Sequence, residues 1–224
     1  AQGGWQNIMT DGFEGAFPGT EWERYGNPTW GKESYQPRSG SYSVWCAGSS
    51  YDPPSNYPNN MDAWMIYGPF NLVGATDAEL NFWFWLDTQI DHDYLFWGAS
   101  IDGQNFWGRQ RSGNSQGWVS ESFDLTNVYH LGNLCGQSQV WIAFTFESDN
   151  AFTAKGAFVD DVVLRKYVAG VNNPPNTPSN PSPANHATGV SINADLGWTG
   201  GDPDAGDTVT YDVYFGTSAT PPLV

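Results

Sequence analysis

Strand-type alternation, with side chains repeating every second residue, recurs through most of the first 165 positions. It predicts strands over Gly12–Glu23 (with a turn), Ser39–Ala47, Leu80–Asp87, Tyr94–Asp102, Trp118–Leu125, Gln139–Ser148 and Gly156–Arg165; Trp64–Phe70 opens the densest apolar region, and Asp102–Asn105 is a turn before Phe106–Gln110. Ala1–Thr10 reads as a lead-in and Tyr25–Arg38 as loop. Gly48–Asp62 (GSSYDPPSNYPNNMD) is a long Pro- and Asn-rich connection, too polar for a core, of the kind that carries recognition surfaces. Segments of helical period with caps are hard to find. The regular spacing of short strands predicts an all-β chain: an antiparallel jelly-roll β-sandwich over 1–168.

A Pro/Asn-rich linker is expected over 169–183, where VAGVNNPPNTPSNPSP disfavours both helix and ladder. Three further strands are predicted at Val190–Ile192, Leu196–Trp198 and Val209–Phe215. An immunoglobulin-like sandwich needs about seven strands, so 184–224 reads as a partial module. Its unpaired edge suggests self-association.

The pattern in Gly156–Arg165 (GAFVDDVVLR) sets Asp160 in phase with Phe158, Val162 and Leu164. A carboxylate on a buried face needs a positive or hydrogen-bonding partner. The chain has eight Lys and Arg against 24 Asp and Glu, so a bound cation is the expected partner. Near the other end, DGFEG places Glu14 beside Phe13. First and last strands are therefore expected to meet and share Ca²⁺.

The formal charge of −16 argues against nucleic acid and anionic membranes as partners, and no run is long enough for a transmembrane helix. An extracellular setting, secreted or at the cell surface, fits this balance. The opening AQGGW reads as a mature end after removal of a leader. Cys46 and Cys135 lack metal-ligand spacing; in an exported protein they form either a disulfide or two buried thiols.

Aromatic residues make up 16% of the chain. In LNFWFWLD, Asn81, Trp83, Trp85 and Asp87 share one face, a mixed polar and aromatic surface suited to stacking on sugar rings. Trp141, with Thr145, is expected to extend that face, and Tyr51 and Tyr57 to contribute from the Gly48–Asp62 loop. The competing reading is a sheet buried on both sides. No HExxH, GxSxG or Cys-His arrangement marks a catalytic centre, and no catalytic residue is assigned. Glu121, Asp124 and Glu147 are the carboxylates a glycan-active enzyme would use. Asp91–Asp93 (DHD) lies in a hairpin connection. Asp202, Asp204 and Asp207 in GGDPDAGD depart from an EF-hand loop and read as a solvated turn.

DGFEG, SGSYSV, LNFWFWLD with YLFWGASIDG, VWIAFTFES and FVDDVVL, in that order over about 11–165, resemble the bacterial cleaved-adhesin and MAM-like jelly-roll modules. Carbohydrate-binding jelly rolls share the opening and closing pieces. PNTPSNPSP, LGWTGGDPDAGD and VTYDVYFG resemble the first half of a fibronectin type III repeat. The first resemblance implies a non-catalytic adhesion or substrate-targeting module of a larger secreted protein, with a glycan or protein ligand. It also implies a structural Ca²⁺ held by the side chains of Glu14 and Asp160 and backbone oxygens at Ser39 and Tyr42, with Asp11 and Asp161 as secondary ligands. MAM modules usually hold more cysteines than two, so the closer tie is to the adhesins. The alternatives are a subunit of an extracellular assembly and a glycan-active enzyme on the same scaffold.

Overall fold

The computed structural model describes residues 3–218 and 220–224. All regular structure among them is strand: β1 (Gly4–Asp11), β2 (Trp22–Tyr25), β3 (Gly31–Glu33), β4 (Ser43–Trp45), β5 (Asp62–Phe70), β6 (Ala75–Asp87), β7 (Tyr94–Ser100), β8 (Trp107–Arg111), β9 (Val119–Asp124), β10 (Val140–Glu147), β11 (Gly156–Val168), β12 (Ser179–Ser182) and β13 (Gly197–Thr199). Residues Trp5–Val168 form one compact unit and Ala169–Val224 belong to another.

The larger unit is a sandwich of two antiparallel sheets. One runs β3-β4-β11-β6-β9, with β1 also paired to β11, and the other runs β2-β5-β10-β7-β8. The alternation in β6 works as its sequence suggests: Ala78, Leu80, Phe82, Phe84 and Leu86 are buried. Phe82 meets Phe144 of β10 at 4.8 Å and Trp97 of β7 at 5.4 Å, and Phe84 stacks on Trp97 at 5.7 Å. These rings join the two sheets, each edge-to-face or stacked pair adding roughly 0.5–1.5 kcal/mol beyond its burial.

Two expectations are corrected here. The lead-in is a strand, β1, and the predicted strand at Gly12–Glu23 is mostly loop, with only Trp22 and Glu23 in β2. The phase of β11 is broken by a bulge: Asp160 pairs with Trp83 and Val163 with Asn81, so Asp161 and Val162 together oppose Phe82. Asp161 adopts φ 48° to make it. Phe158 and Asp160 therefore lie on the outer face with their partners Trp85 and Trp83, while Val162 and Leu164 point inward with Leu80.

In the second unit, β12 and β13 form a two-stranded antiparallel sheet. Of the three strands expected there, only Leu196–Trp198 overlaps a strand, β13; Val190–Ile192 and Val209–Phe215 are not strands. A β-pairing needs a neighbour on at least one side, and these segments have only the isolated bridge Tyr214–Leu223.

Candidate functional site

The outer face of the five-stranded sheet is built from three rows of side chains running across the strands. Tyr25, Trp64, Thr145, Phe96 and Gln110 are register partners on β2, β5, β10, β7 and β8 in turn. The next row, Glu23, Ile66, Ala143, Gly98 and Gly108, ends in small residues. The third holds Trp141 beside Ser100. Along β10, Trp141 and Thr145 are four residues apart, about 13 Å. The first row, with Tyr94, Phe106 and Glu147 beside it, lines a groove with aromatic walls, while the Phe96 ring covers the small row at Gly98.

Each wall is held in place. Trp64 meets Phe106 edge-to-face at 5.7 Å, and its indole N–H donates to Asp62 Oδ1. The Phe96 ring lies across Gly98, where a Cβ would come within 2.5 Å of its Cζ, so only glycine leaves the ring room to lie flat. Trp141 packs against the backbone of Gly68 and Gly103. A cavity of about 190 Å³ opens between Trp64, Tyr94, Phe96 and Phe106, with Gln110, Thr145 and Glu147 as its polar lining. Half-buried ring faces beside a few fixed polar groups are what a pyranose requires: C–H bonds against the rings, hydroxyls against the amide and carboxylate.

The sequence reading assigned this role elsewhere. Trp83 and Trp85 lie on the outer face of the other sheet, and Trp141 on the opposite side of the sandwich, so Trp141 cannot extend their surface. That surface has a cavity of about 580 Å³ lined by Asn81, Trp83, Ser120, Ser122 and Asp161, with the Arg38 guanidinium over the Trp83 ring at 4.0 Å, while Trp85 sets its edge on Phe158 at 5.7 Å. Tyr51 is exposed in its loop. Tyr57 is only 1% exposed, and its hydroxyl donates to Asp93 Oδ2, with the Gln89 N–H donating to the phenol. It anchors the loop instead of presenting it. Trp64, Tyr94, Phe96 and Phe106 were missed because both phases of WMIYGPF and YLFWGAS are apolar; only the pairing register separates inner from outer.

The residues expected to hold Ca²⁺ gather around the turn 38–42. Glu14 Oε1 accepts the N–H groups of Ser41 and Tyr42 at 2.8 and 3.0 Å, and Asp160 Oδ2 accepts those of Arg38 and Ser39 at 2.9 and 3.2 Å. Asp161 takes the Ser39 hydroxyl on Oδ1 and the Arg38 guanidinium on Oδ2, both at 2.7 Å. Gly40, at φ 60°, lies so close to Glu14 that a Cβ would reach 2.3 Å from Oε1. Asp11 stands apart, receiving the Phe13 N–H and the Trp22 indole, where it fixes the bend after β1.

Asp160 is fully buried, as expected, but on the outer face beneath this turn and not in the sandwich core. Its charge is met by main-chain N–H groups, with Asp161 N donating to Oδ1 at 2.7 Å. Burial nevertheless pushes its carboxyl above the ordinary range, against the lowering effect of those three amides. The surroundings offer Glu14, Asp160, Asp161, the Ser39 hydroxyl and turn carbonyls, an oxygen-only set that suits a hard cation. Lys32, whose ammonium donates to the Glu14 and Gly15 carbonyls, sits on the other side of Glu14.

The remaining candidates are dispersed. Glu121 pairs with Arg109 at 3.0 Å, Asp124 accepts from Thr126, and Glu147 belongs to the other sheet. Asp93 of the DHD segment is buried against Tyr57, and His92 pairs with Asp149 at 3.3 Å. Cys46 and Cys135 are free thiols, one beside Ala157 in the core and the other half-buried near Asp77 and Asp124. Among the described residues, Asp202, Asp204 and Asp207 form a close carboxylate group, within 4.8 Å of one another, and no helix is long and apolar enough to cross a membrane.

No family model matches the chain. It is similar to bacillopeptidase F of Bacillus subtilis (strain 168), 25% identical over 172 residues, which is 76% of this chain and 10% of that protein; the chain spans about a tenth of the length of this relative. Among solved structures it is similar to the K1 cleaved adhesin domain of Lys-gingipain from Porphyromonas gingivalis W83 (15% identical, 72% of this chain and 98% of that one, TM-score 0.48). Another is the family 11 carbohydrate-binding module of a cellulosomal cellulase of Clostridium thermocellum (15% identical, 77% and 99%, TM-score 0.46).

Proposed function

We propose that the sandwich is a non-catalytic, calcium-stabilised module that binds glycan chains, serving adhesion or substrate targeting within a larger secreted or surface protein. The observation that carries this reading is the groove on the five-stranded sheet lined by Trp64, Tyr94, Phe96 and Phe106, with Trp141 farther along the same outer face. A sugar seated in it meets these ring faces, and a chain that continues along the outer face extends toward Trp141. Thr145, Gln110 and Glu147 select among hydroxyl patterns. The cellulosomal likeness agrees with a glycan ligand, and the match to part of a peptidase agrees with an ancillary role.

Ca²⁺ is assigned to Glu14 and Asp160, with oxygens at Ser39 and Tyr42 and with Asp161 adjacent. When bound it supplies charge neutralisation to Asp160 and fixes the turn whose Arg38 lies over Trp83. Probing an immobilised panel of plant, fungal and bacterial polysaccharides with the full chain tests the main reading. Binding that W64A abolishes is expected, and silence across the panel, or binding unaffected by W64A and W141A, would reject it.

A second reading comes from the smaller unit, where Val190, Ile192, Leu196, Phe215 and Val224 are exposed around an apolar cavity of about 410 Å³. This surface suits self-association, expected as a concentration-dependent mass in sedimentation; a monomer at every concentration would reject it.

A further inference from the structure

A second cavity lies at the edge of the sandwich where β8 and β9, the last strands of their respective sheets, stand one above the other. The connection between them, Ser112–Trp118, crosses from one sheet to the other. It is fastened to the end of β6: Thr88 N–H donates to the Gly113 carbonyl at 2.9 Å, Gly113 N–H to the Thr88 hydroxyl at 2.8 Å, and Ser115 N–H to the Leu86 carbonyl at 2.8 Å. The cavity beneath it measures about 340 Å³, within the range of small-ligand sites. Phe84, Leu86 and Val119 give it an apolar floor, and Arg111, Asn114 and Glu121 a polar rim.

The charges at this rim are unusual for the chain. It has eight Lys and Arg, and seven of them are engaged. Arg38, Arg109 and Arg165 pair with Asp161, Glu121 and Glu79. Arg24 donates to the Trp30 carbonyl, Lys32 to Glu14 and Gly15, Lys155 to Pro54 and Asn56, and Lys166 to Asn71. Arg111 alone has no acceptor among the described residues, despite the 24 acidic side chains in the sequence. Glu121, the acid nearest to it in the cavity, is already held by Arg109 at 3.0 Å and is thereby oriented as an acceptor.

We propose that this edge cavity is a second binding site, independent of the groove, for a carboxylated sugar residue such as a uronic acid at a chain end. The planar Arg111 guanidinium takes the carboxylate in a two-pronged pair. One face of the ring lies on Phe84, Leu86 and Val119. Hydroxyls donate to the carboxylate of Glu121, and Asn114, whose amide is anchored on Asp87 at 2.8 Å, closes the rim.

The test is a nuclear magnetic resonance titration of the full chain with methyl β-D-glucuronoside, methyl β-D-glucoside and N-acetylalanine, following the amides of residues 111–121. The glucuronoside is expected to shift them with at least about tenfold higher affinity than either comparator, the scale of one charge-assisted contact. R111Q should remove that preference while leaving the denaturation midpoint unchanged, because Arg111 supports nothing else. W64A should leave it intact, which separates this site from the groove whatever becomes of the latter. Equal binding of glucuronoside and glucoside, no shifts at 111–121, or an unaffected R111Q would overturn the proposal. Equal binding of N-acetylalanine would overturn its sugar component, the carboxylate alone then being recognised.

Discussion

Asp160 faces Trp83 across the β11–β6 ladder, and the next partners in register are Val163 and Asn81, one residue out of step. That single extra residue brings the buried carboxylate out of the sandwich core to a place beneath the turn 38–42, and returns Val162 and Leu164 to the interior.

The bulge depends on Asp161 at φ 48°. A β-branched residue is strained there, so Asp161→Val should lower stability by about 1–3 kcal/mol and also lose the Arg38 pair. Asp161→Gly should recover the backbone part. Urea denaturation of the three proteins measures this, and equal midpoints for the valine and glycine variants would contradict it.

Trp64→Ala and Trp141→Ala are each expected to weaken glycan binding tenfold or more with little effect on folding, since each ring lies on the sheet's outer face. Trp83→Ala should do the reverse: unchanged binding and a lower melting temperature, because Arg38 already covers that ring. Calorimetric titration with thermal melts of the same samples distinguishes the two groups.

Calcium in hundredfold excess over its dissociation constant should stabilise the protein by about 2.7 kcal/mol, an increment lost in Glu14→Gln and Asp160→Asn. The pH dependence has a defined sign. Without a cation, burial raises the Asp160 carboxyl, so its protonated form contributes stability that is complete below an ordinary value near about 3.9 and lost as pH rises through the raised one. A bound cation favours the ionised form and lowers that value, so the calcium-dependent rise in Tm should shrink as pH falls through the raised value, where proton and cation compete for the carboxylate. A rise that is constant with pH, or absent, counts against Asp160 as a ligand.

Tyr57→Phe removes the hydroxyl that Asp93 accepts, leaving a fully buried carboxylate with the Asp149 N–H on its other oxygen. The cost should be about 1–3 kcal/mol, read from denaturant midpoints. Burial, and then the Asp93 carboxylate, hold the phenol well above its usual value, so it remains a donor at neutral pH.

Much of the fold was legible from local pattern. Six predicted strands overlap observed ones, β4, β6, β7, β9, β10 and β11, because alternation of aromatic and polar residues reports directly on a half-buried sheet, as in β6. β1 was missed because GWQNIMTD carries little alternation, and most of it is exposed: it is recruited by the edge of β11 and not by its own apolar face. Glu14 and Asp160 both accept main-chain N–H groups of the turn 38–42, which the order of DGFEG, SGSY and FVDD along the chain does not state by itself. Asp11 does not join them, since the Trp22 indole claims it.

Composition and period by themselves determined that the chain is built of strands, that Phe82, Phe84 and Leu86 share a buried face, and that cations are scarce. Tertiary pairing decided which aromatic residues face outward together. Trp64, Thr145, Phe96 and Gln110 are 14 to 81 positions apart in sequence and become neighbours only through the β5-β10-β7-β8 register. Pairing also decided that Trp83 is covered and Arg111 is not. Alternation fixes the face of a residue relative to its own strand; the identity of that face, core or groove, is set by which strands lie beside it and by where a bulge shifts the count.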